Sequence, residues 1–372
     1  MRAGGSRIPS LDGLRAVSIL LVLYDHLAGT AIFPRVPPIA EARLGLFGVR
    51  VFFLISGFLI TSLLLDEESK TGTVSLGRFY LRRTLRIFPP YYTYLAVMAL
   101  ASALGWLHLH HFDLLAAVTY TTNYHQDRAW QVGHSWSLSV EEQFYLLWPF
   151  VMMRLGSARA PRAALLAVGA APLVRMFILL VMPQWDDGVG ETFPTVVDTL
   201  ATGCLLACYQ DRLELMPRLQ RFLASPLFGL VPLMAVGAVL IPSAKIEYSI
   251  GQTIGNFCIA LTIYRVVRFP HTWSGRLLNL RPVVFLGVIS YSLYLWQQPF
   301  LNKRLHVYLT GFPQNIGFAL GMALVSYYFI ERPALRMRSR LESWLLRPKP
   351  SAAPRVPAGL AVAPVPPRDA DR

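Results

Sequence analysis

Arg15 and His26 stand eleven positions apart inside the first apolar stretch of the chain, Leu14 to Ile32. On a helix that spacing is about three turns, so both side chains share one face, roughly 16 Å apart along the axis. Ionisable groups in an apolar helix are costly and usually functional. A fixed cation near one end and an imidazole deep inside suit the handling of something polar. An imidazole beside a carboxylate acts as a general base on a hydroxyl, the carboxylate fixing the tautomer and stabilising the imidazolium. Asp25 adjoins His26, and Glu141, Glu142, Asp198 and Gln297 sit in later apolar segments. A polar network that only ties helices together is the competing interpretation.

A second constellation is Arg83 and Arg86, three apart and so on one helical face, just before Pro89-Pro90. Two guanidinium forks suit a phosphate-bearing ligand, although ordinary positive charge flanking a membrane span has the same look. Arg50 lies near the other membrane surface. Gly48 and Gly57 flank it and permit close helix approach, a packing role. Arg175 falls in mid-helix and needs a partner that sequence does not name.

The elements that must position these groups are membrane helices. The chain has 372 residues, 54% hydrophobic and 15% charged, with mean hydropathy +0.44. This is less charge than a soluble domain carries, and the apolar runs are long enough to span a bilayer. Ten helices are expected, over about 13–33, 46–66, 88–108, 136–155, 161–182, 194–209, 224–242, 248–267, 283–301 and 312–330. The fold class is all-α, a polytopic integral membrane protein. The stretch 112–122 is a weak rival, re-entrant or interfacial. The net charge of +14 does not point to nucleic acid. Most Lys and Arg fall in alternate loops and in the tail, which places both termini in the cytoplasm. The loop with Asp186, Asp187 and Glu191 is then external, as is 109–135. The first apolar run contains Asp25 and His26, which a cleavable signal core would exclude, so it is expected to be retained. Cys204, Cys208 and Cys258 lack metal-site spacing, so no metal and no structural disulfide are expected. Residues 8–340 read as one transmembrane domain, and 341–372 as a basic, Pro/Ala-rich cytoplasmic tail without fixed structure.

On this orientation Asp25, His26, Glu141, Glu142, Asp198 and Gln297 share one depth in the outer half of the membrane. Arg15 lies near the cytoplasmic face. The outer loop holds His108, His110, His111, Tyr120, Tyr124 and Trp130, which suit either sugar stacking or an interfacial belt.

Several strings together resemble one family. They are Leu11-Asp12-Gly13-Leu14-Arg15-Ala16 leading to His26, Arg83-Thr84-Leu85-Arg86, Trp136-Ser137-Leu138 with Glu141-Glu142-Gln143-Phe144-Tyr145, Ser290-Tyr291-Ser292-Leu293-Tyr294-Leu295-Trp296, and Ile330-Glu331-Arg332-Pro333. Over about residues 8–340 the chain resembles the acyltransferase 3 family, of the membrane O-acetylase type that modifies lipopolysaccharide, exopolysaccharide or peptidoglycan.

The resemblance implies a ten-helix inner-membrane protein that moves an acyl group, usually acetyl, from cytoplasmic acyl-CoA to a hydroxyl of a cell-surface glycan or glycolipid. It maps its Arg-x10-His motif onto Arg15 and His26; with Glu141 or Glu142 orienting it, His26 either deprotonates the acceptor hydroxyl or briefly carries the acyl group, and both roles stay open. Arg83 and Arg86, with Arg15, face the acyl-CoA donor. Asp25, Arg50, Trp136, Ser137, Asp198 and Gln297 complete the candidate site. Gln297 stands where many relatives have His, so this chain lacks that second imidazole. Some relatives carry a further C-terminal hydrolase-like domain, so either the membrane domain acts alone or a separate periplasmic transferase completes the reaction. A proton-coupled exporter of lipid or saccharide remains the alternative, since it too needs polar groups at mid-depth.

Overall fold

The computed structural model describes residues 8–34, 43–182, 188–238, 240–241, 243–303 and 308–345, and within them it is helical, with no strand. The acidic pair Asp186 and Asp187, and the tail beyond Leu345, lie outside the described residues.

The helices that build the site are α1 (Pro9–Leu27), α2 (Leu44–Thr71) and α3 (Leu76–Ala103). Two short helices follow, α4 (Asp113–Val118) and α5 (Trp130–Gly133), and then the long α6 (Ser135–Val181). After them come α7 (Phe193–Glu214), α8 (Pro217–Ala224), α9 (Leu230–Gly237), α10 (Ala244–Ile246), α11 (Gln252–Arg268), α12 (Trp273–Leu278), α13 (Arg281–Phe300), α14 (Gln314–Ser326) and α15 (Arg332–Leu345). A π-helical turn, Glu247–Gly251, makes α10 and α11 continuous, and another, Tyr327–Glu331, joins α14 to α15.

Chain direction follows from paired contacts. α1 and α13 run parallel, with Asp12 against Gly287 and His26 bonded to Gln297. α2 returns antiparallel to α1, with Gly45 on Asp25. α6 starts beside the end of α1 and runs with α2, through the pairs Phe53–Trp136, Ser56–Glu141 and Thr61–Trp148. We call the end where α1 begins the near end and the other the far end.

Gly156, at φ 67° and ψ 173°, breaks α6 into two arms. Glu68 of α2 accepts from the backbone N–H of Ser157 beyond the break at 3.1 Å, satisfying one of the donors that a restarting helix leaves open. The two arms are the segments expected at 136–155 and 161–182.

Three departures from expectation bear on the site. The stretch 67–87 is not a loop. α2 continues to Thr71, Gly72 caps it in the left-handed conformation, and Ser75 caps α3 by accepting from Arg78 N. Arg83 and Arg86 therefore lie within α3, which runs on through Pro89 and Pro90. The span expected at 224–242 is instead a bent pair, Pro217–Ala224 and Pro226–Gly237, at 73°. Ser225, held extended ahead of Pro226, makes the bend. At the other end α15 carries helix to Leu345, past the expected domain limit at 340.

Among the described residues, three stretches are long and apolar enough to cross a membrane: Leu44–Thr71, Trp130–Val181 and Ala244–Arg268. The bent pair is a fourth if it counts as one. The others are too short or carry the charged, hydroxyl and amide groups of the site.

Two apolar clusters fill the bundle. One joins α1, α2, α3, α6, α7 and α13, and the other joins α1, α2, α7, α9 and α11, so α1, α2 and α7 contribute to both. Gly48 and Gly57 bring its neighbours in close, as expected. A Cβ at Gly57 would meet the Leu200 carbonyl oxygen at 2.0 Å.

Candidate active site

One cavity collects charged side chains from three helices. Arg15 of α1, Arg83 and Arg86 of α3, and Glu141 and Glu142 of α6 line it, with Ser56 of α2 and Tyr291 and Tyr294 of α13. The Arg83 guanidinium stacks on the Tyr145 ring at 3.6 Å, an attraction of about 0.5–2 kcal/mol. Its Nε is buried without a partner among the described residues, as is Glu142 Oε2. Glu141 accepts from Ser56 Oγ at 2.6 Å. Arg15 reaches Asp12 at 3.4 Å. Three guanidiniums against two carboxylates favour an anionic ligand, and planar forks suit phosphate.

Ser137 and Tyr294 bound the cavity towards the far end. Their hydroxyls are 2.6 Å apart, and each lies 3.1 Å from the His134 carbonyl oxygen; with one proton apiece, they make two of these three contacts at a time.

One turn further out lies His26. Its Nδ1 is 2.8 Å from Gln297 Oε1, and its ring meets Trp130 edge-on, centroids 5.1 Å apart. The proton on this ring can be assigned by following the bonds back. The Trp130 carbonyl only accepts, so Gln298 turns its NH2 to it, at 2.7 Å. Gln298 Oε1 then accepts from Gln297 Nε2 at 2.9 Å. Gln297 is left presenting its oxygen, which can only accept from His26 Nδ1–H. The lone pair therefore sits on Nε2, the tautomer a general base needs.

His134, one turn before Ser137, is a further buried imidazole that the sequence reasoning passed over. It is 4% exposed. Its ring stands between Tyr94 and Tyr294, centroids 5.4 and 5.3 Å away. The available signal was its place in the string His134-Ser135-Trp136-Ser137, one turn from a candidate serine on a helix running inward.

The structure separates residues expected at one depth. Glu141 and Glu142 lie with the arginines, not with His26. α6 begins at the far end, and six residues carry it roughly 9 Å inward. Gln297, not a carboxylate, orients His26. Asp25 packs on Gly45. Trp136 packs edge-on against Phe53.

Asp198 is the partner that Arg175 required. The two form a fully buried pair at 3.0 Å, and Arg175 also donates to the carbonyls of Tyr248 and Thr195 and to Thr253 Oγ1. This network joins α6, α7 and α11 away from the cavity. Arg50 of α2 lies within electrostatic reach of this pair, in a crevice with Gln252 and Asn256. Glu331 accepts from Ser292 at 2.8 Å and ties the π-helical turn to α13.

The far-end segment 109–135 is built on buried Asp113, which accepts from His125 Nε2, His110 N and Ala129 N. Tyr120 is buried and stacked on Tyr91, centroids 4.7 Å apart, and so forms core rather than an exposed platform.

The chain is 28% identical over 353 residues to "O-acetyltransferase OatA" of Staphylococcus aureus (strain NCTC 8325 / PS 47), covering 88% of this chain and 57% of that protein. It is 26% identical over 366 residues to "Putative O-acetyltransferase SACOL0978" of Staphylococcus aureus (strain COL), covering 91% of this chain and 59% of that protein. It thus spans less than two thirds of the length of these relatives. No solved structure matches it. The family model described as acyltransferase domain matches residues 8–331, which takes in every cavity-lining residue as well as His26, His134 and Gln297, and the chain belongs to that family.

Proposed function

We propose that this protein is a membrane O-acyltransferase that moves an acyl group, acetyl by the names of its relatives, from cytoplasmic acyl-CoA to a hydroxyl of a cell-surface glycan or glycolipid. The observation that carries this reading is the layering of the site. An arginine-rich cavity lies towards the near end, a Ser137–Tyr294 layer follows, and an imidazole with a free Nε2 lone pair lies beyond. Donor phosphates pair with Arg83 and Arg86, with Arg15 beside them. The thioester end extends past Tyr294. His26 Nε2 takes the proton of the acceptor hydroxyl, which arrives from the far end. Glu141 and Glu142 set the charge and shape of the donor cavity.

The same reading has the bundle cross the inner membrane about ten times, with the near end cytoplasmic. Alternating chain direction and the crowding of Lys and Arg at near-end connections support it. No metal enters the reaction. The partners are the glycan acceptor, membrane lipids and, where transfer needs two stages, a separate periplasmic transferase.

The test is to incubate purified protein with acetyl-CoA and a membrane glycan fraction and follow free CoA thiol. Thiol release is expected to fall by about 10²–10⁴ in His26→Ala, the range for losing a general base. Full release by a folded His26→Ala variant sinks the assignment.

A further inference from the structure

His134 has no role in the steps above, yet its environment is unusual. Both ring nitrogens are buried without a hydrogen-bond partner among the described residues. An imidazole always carries at least one N–H, and a buried donor left unpaired is costly, so such a group in a folded protein needs an explanation. The flanking phenols do not serve it. Tyr94 OH donates to the Gln131 carbonyl, and Tyr294 OH bonds with Ser137 and with the His134 carbonyl.

Its position is informative. α6 runs inward and α13 outward, and they are pinned together at Ser137–Tyr294. One turn beyond that pin His134 comes level with Gln297, which holds His26. Tyr294, one turn before Gln297 on α13, has its ring centroid 5.3 Å from that of His134. An acyl group passing from the cavity to His26 crosses the layer that His134 occupies.

We propose that His134 binds the acyl carbonyl, its ring N–H donating to the carbonyl oxygen and stabilising the charge that develops there. This rests on the acyl-transfer reading. In the step, the acceptor hydroxyl oxygen attacks the carbonyl carbon and its proton passes to His26 Nε2. The C–S bond breaks, the C–O ester bond remains, and the CoA thiolate takes the proton from His26 to leave as the thiol. His134 is unchanged throughout. A fixed donor in a site shielded from water is worth more to an oxyanion than the same donor in water.

The experiment compares wild type, His134→Phe and His134→Gln in single turnover with acetyl-CoA. His134→Phe is expected to lower the thiol-release rate by about 10²–10³, the usual loss of one oxyanion donor, with acetyl-CoA affinity within about threefold of wild type. His134→Gln keeps an N–H donor and is expected to recover at least about tenfold of that loss. A second measurement needs no turnover. In the His26→Ala background, the infrared band of acetyl-CoA labelled with carbon-13 at the thioester carbonyl should lie lower than that of free acetyl-CoA. It should return upward when His134→Phe is added. A His134→Phe rate within about threefold of wild type, or a band that His134→Phe leaves unmoved, overturns the proposal while leaving acyl transfer intact. Wild type that releases no thiol above His26→Ala overturns the acyl-transfer reading and this proposal with it.

Discussion

Gln297 gives His26 a hydrogen bond of fixed sense without a charge. A carboxylate at that place would also stabilise the imidazolium, whereas an amide only selects the tautomer. The selection is firm because the amide is held in turn by Gln298, and Gln298 by a main-chain carbonyl that cannot turn over. Gln297→Leu removes the acceptor at Nδ1 and leaves Gln298 Oε1 without its donor. We expect it to cut thiol release about 10–100-fold, part of what a general base supplies, with acetyl-CoA binding unchanged, since Gln297 does not line the donor cavity. A Gln297→Leu enzyme at full rate shows that the lock is not needed. Sequence spacing found His26 and the arginine pair, because apolar context makes such residues conspicuous. It set the carboxylates level with His26, whereas six residues of α6 already separate Ser135 from Glu141 and carry it roughly 9 Å inward. His134 escaped notice for the opposite reason. At a helix start it looks like an ordinary boundary residue until Tyr94 and Tyr294 close over it.

α1 presents Arg15 and His26 to two different layers, so its height against α13 matters as much as its rotation. That height is set by close backbone approach. A Cβ on Gly287 would stand 1.8 Å from the Asp12 carbonyl oxygen. Gly287→Ala must push α1 away from α13. Overpacking of this kind typically costs about 1–3 kcal/mol, and it displaces Arg15 within the cavity. Thermal unfolding in detergent should report the loss, together with weaker acetyl-CoA binding. Gly317→Ala on α14 is the control, because nothing lies within 4 Å of its added methyl. Equal stability of the two variants refutes the constraint. The helices themselves were largely legible from apolar runs. Their junctions were less so. The segment 67–87 reads as a polar loop from its charges, yet Gly72 and Ser75 supply a compact cap-to-cap turn that leaves Arg83 and Arg86 on the helix. The bend at Ser225-Pro226 is a local backbone restriction inside an apolar run, which hydropathy alone smooths over.

Across the bundle, the arginine-lined cavity and His26 lie at different heights, and the proposed transfer from a cytoplasmic thioester to a surface hydroxyl requires those heights to map onto the two sides of a membrane. Among the described residues, length and apolarity mark three or four spans. α1, α3 and α13 fall short of that criterion because they carry charged, hydroxyl and amide groups of the site, so the orientation must be measured on exposed positions. Lys70, with a side chain 63% exposed, and Trp273, 76% exposed, are near-end residues. Asp127, with a side chain 91% exposed, is a far-end residue. In a background with Cys204, Cys208 and Cys258 replaced, single cysteines at these three positions can be labelled in intact spheroplasts with a membrane-impermeant maleimide. Asp127→Cys is expected to label from outside, and Lys70→Cys and Trp273→Cys only after the membrane is opened. The reverse pattern would put the arginine cavity on the side that has no acyl-CoA. That outcome removes the donor assignment of Arg83 and Arg86, even though the geometry around His26 would stand.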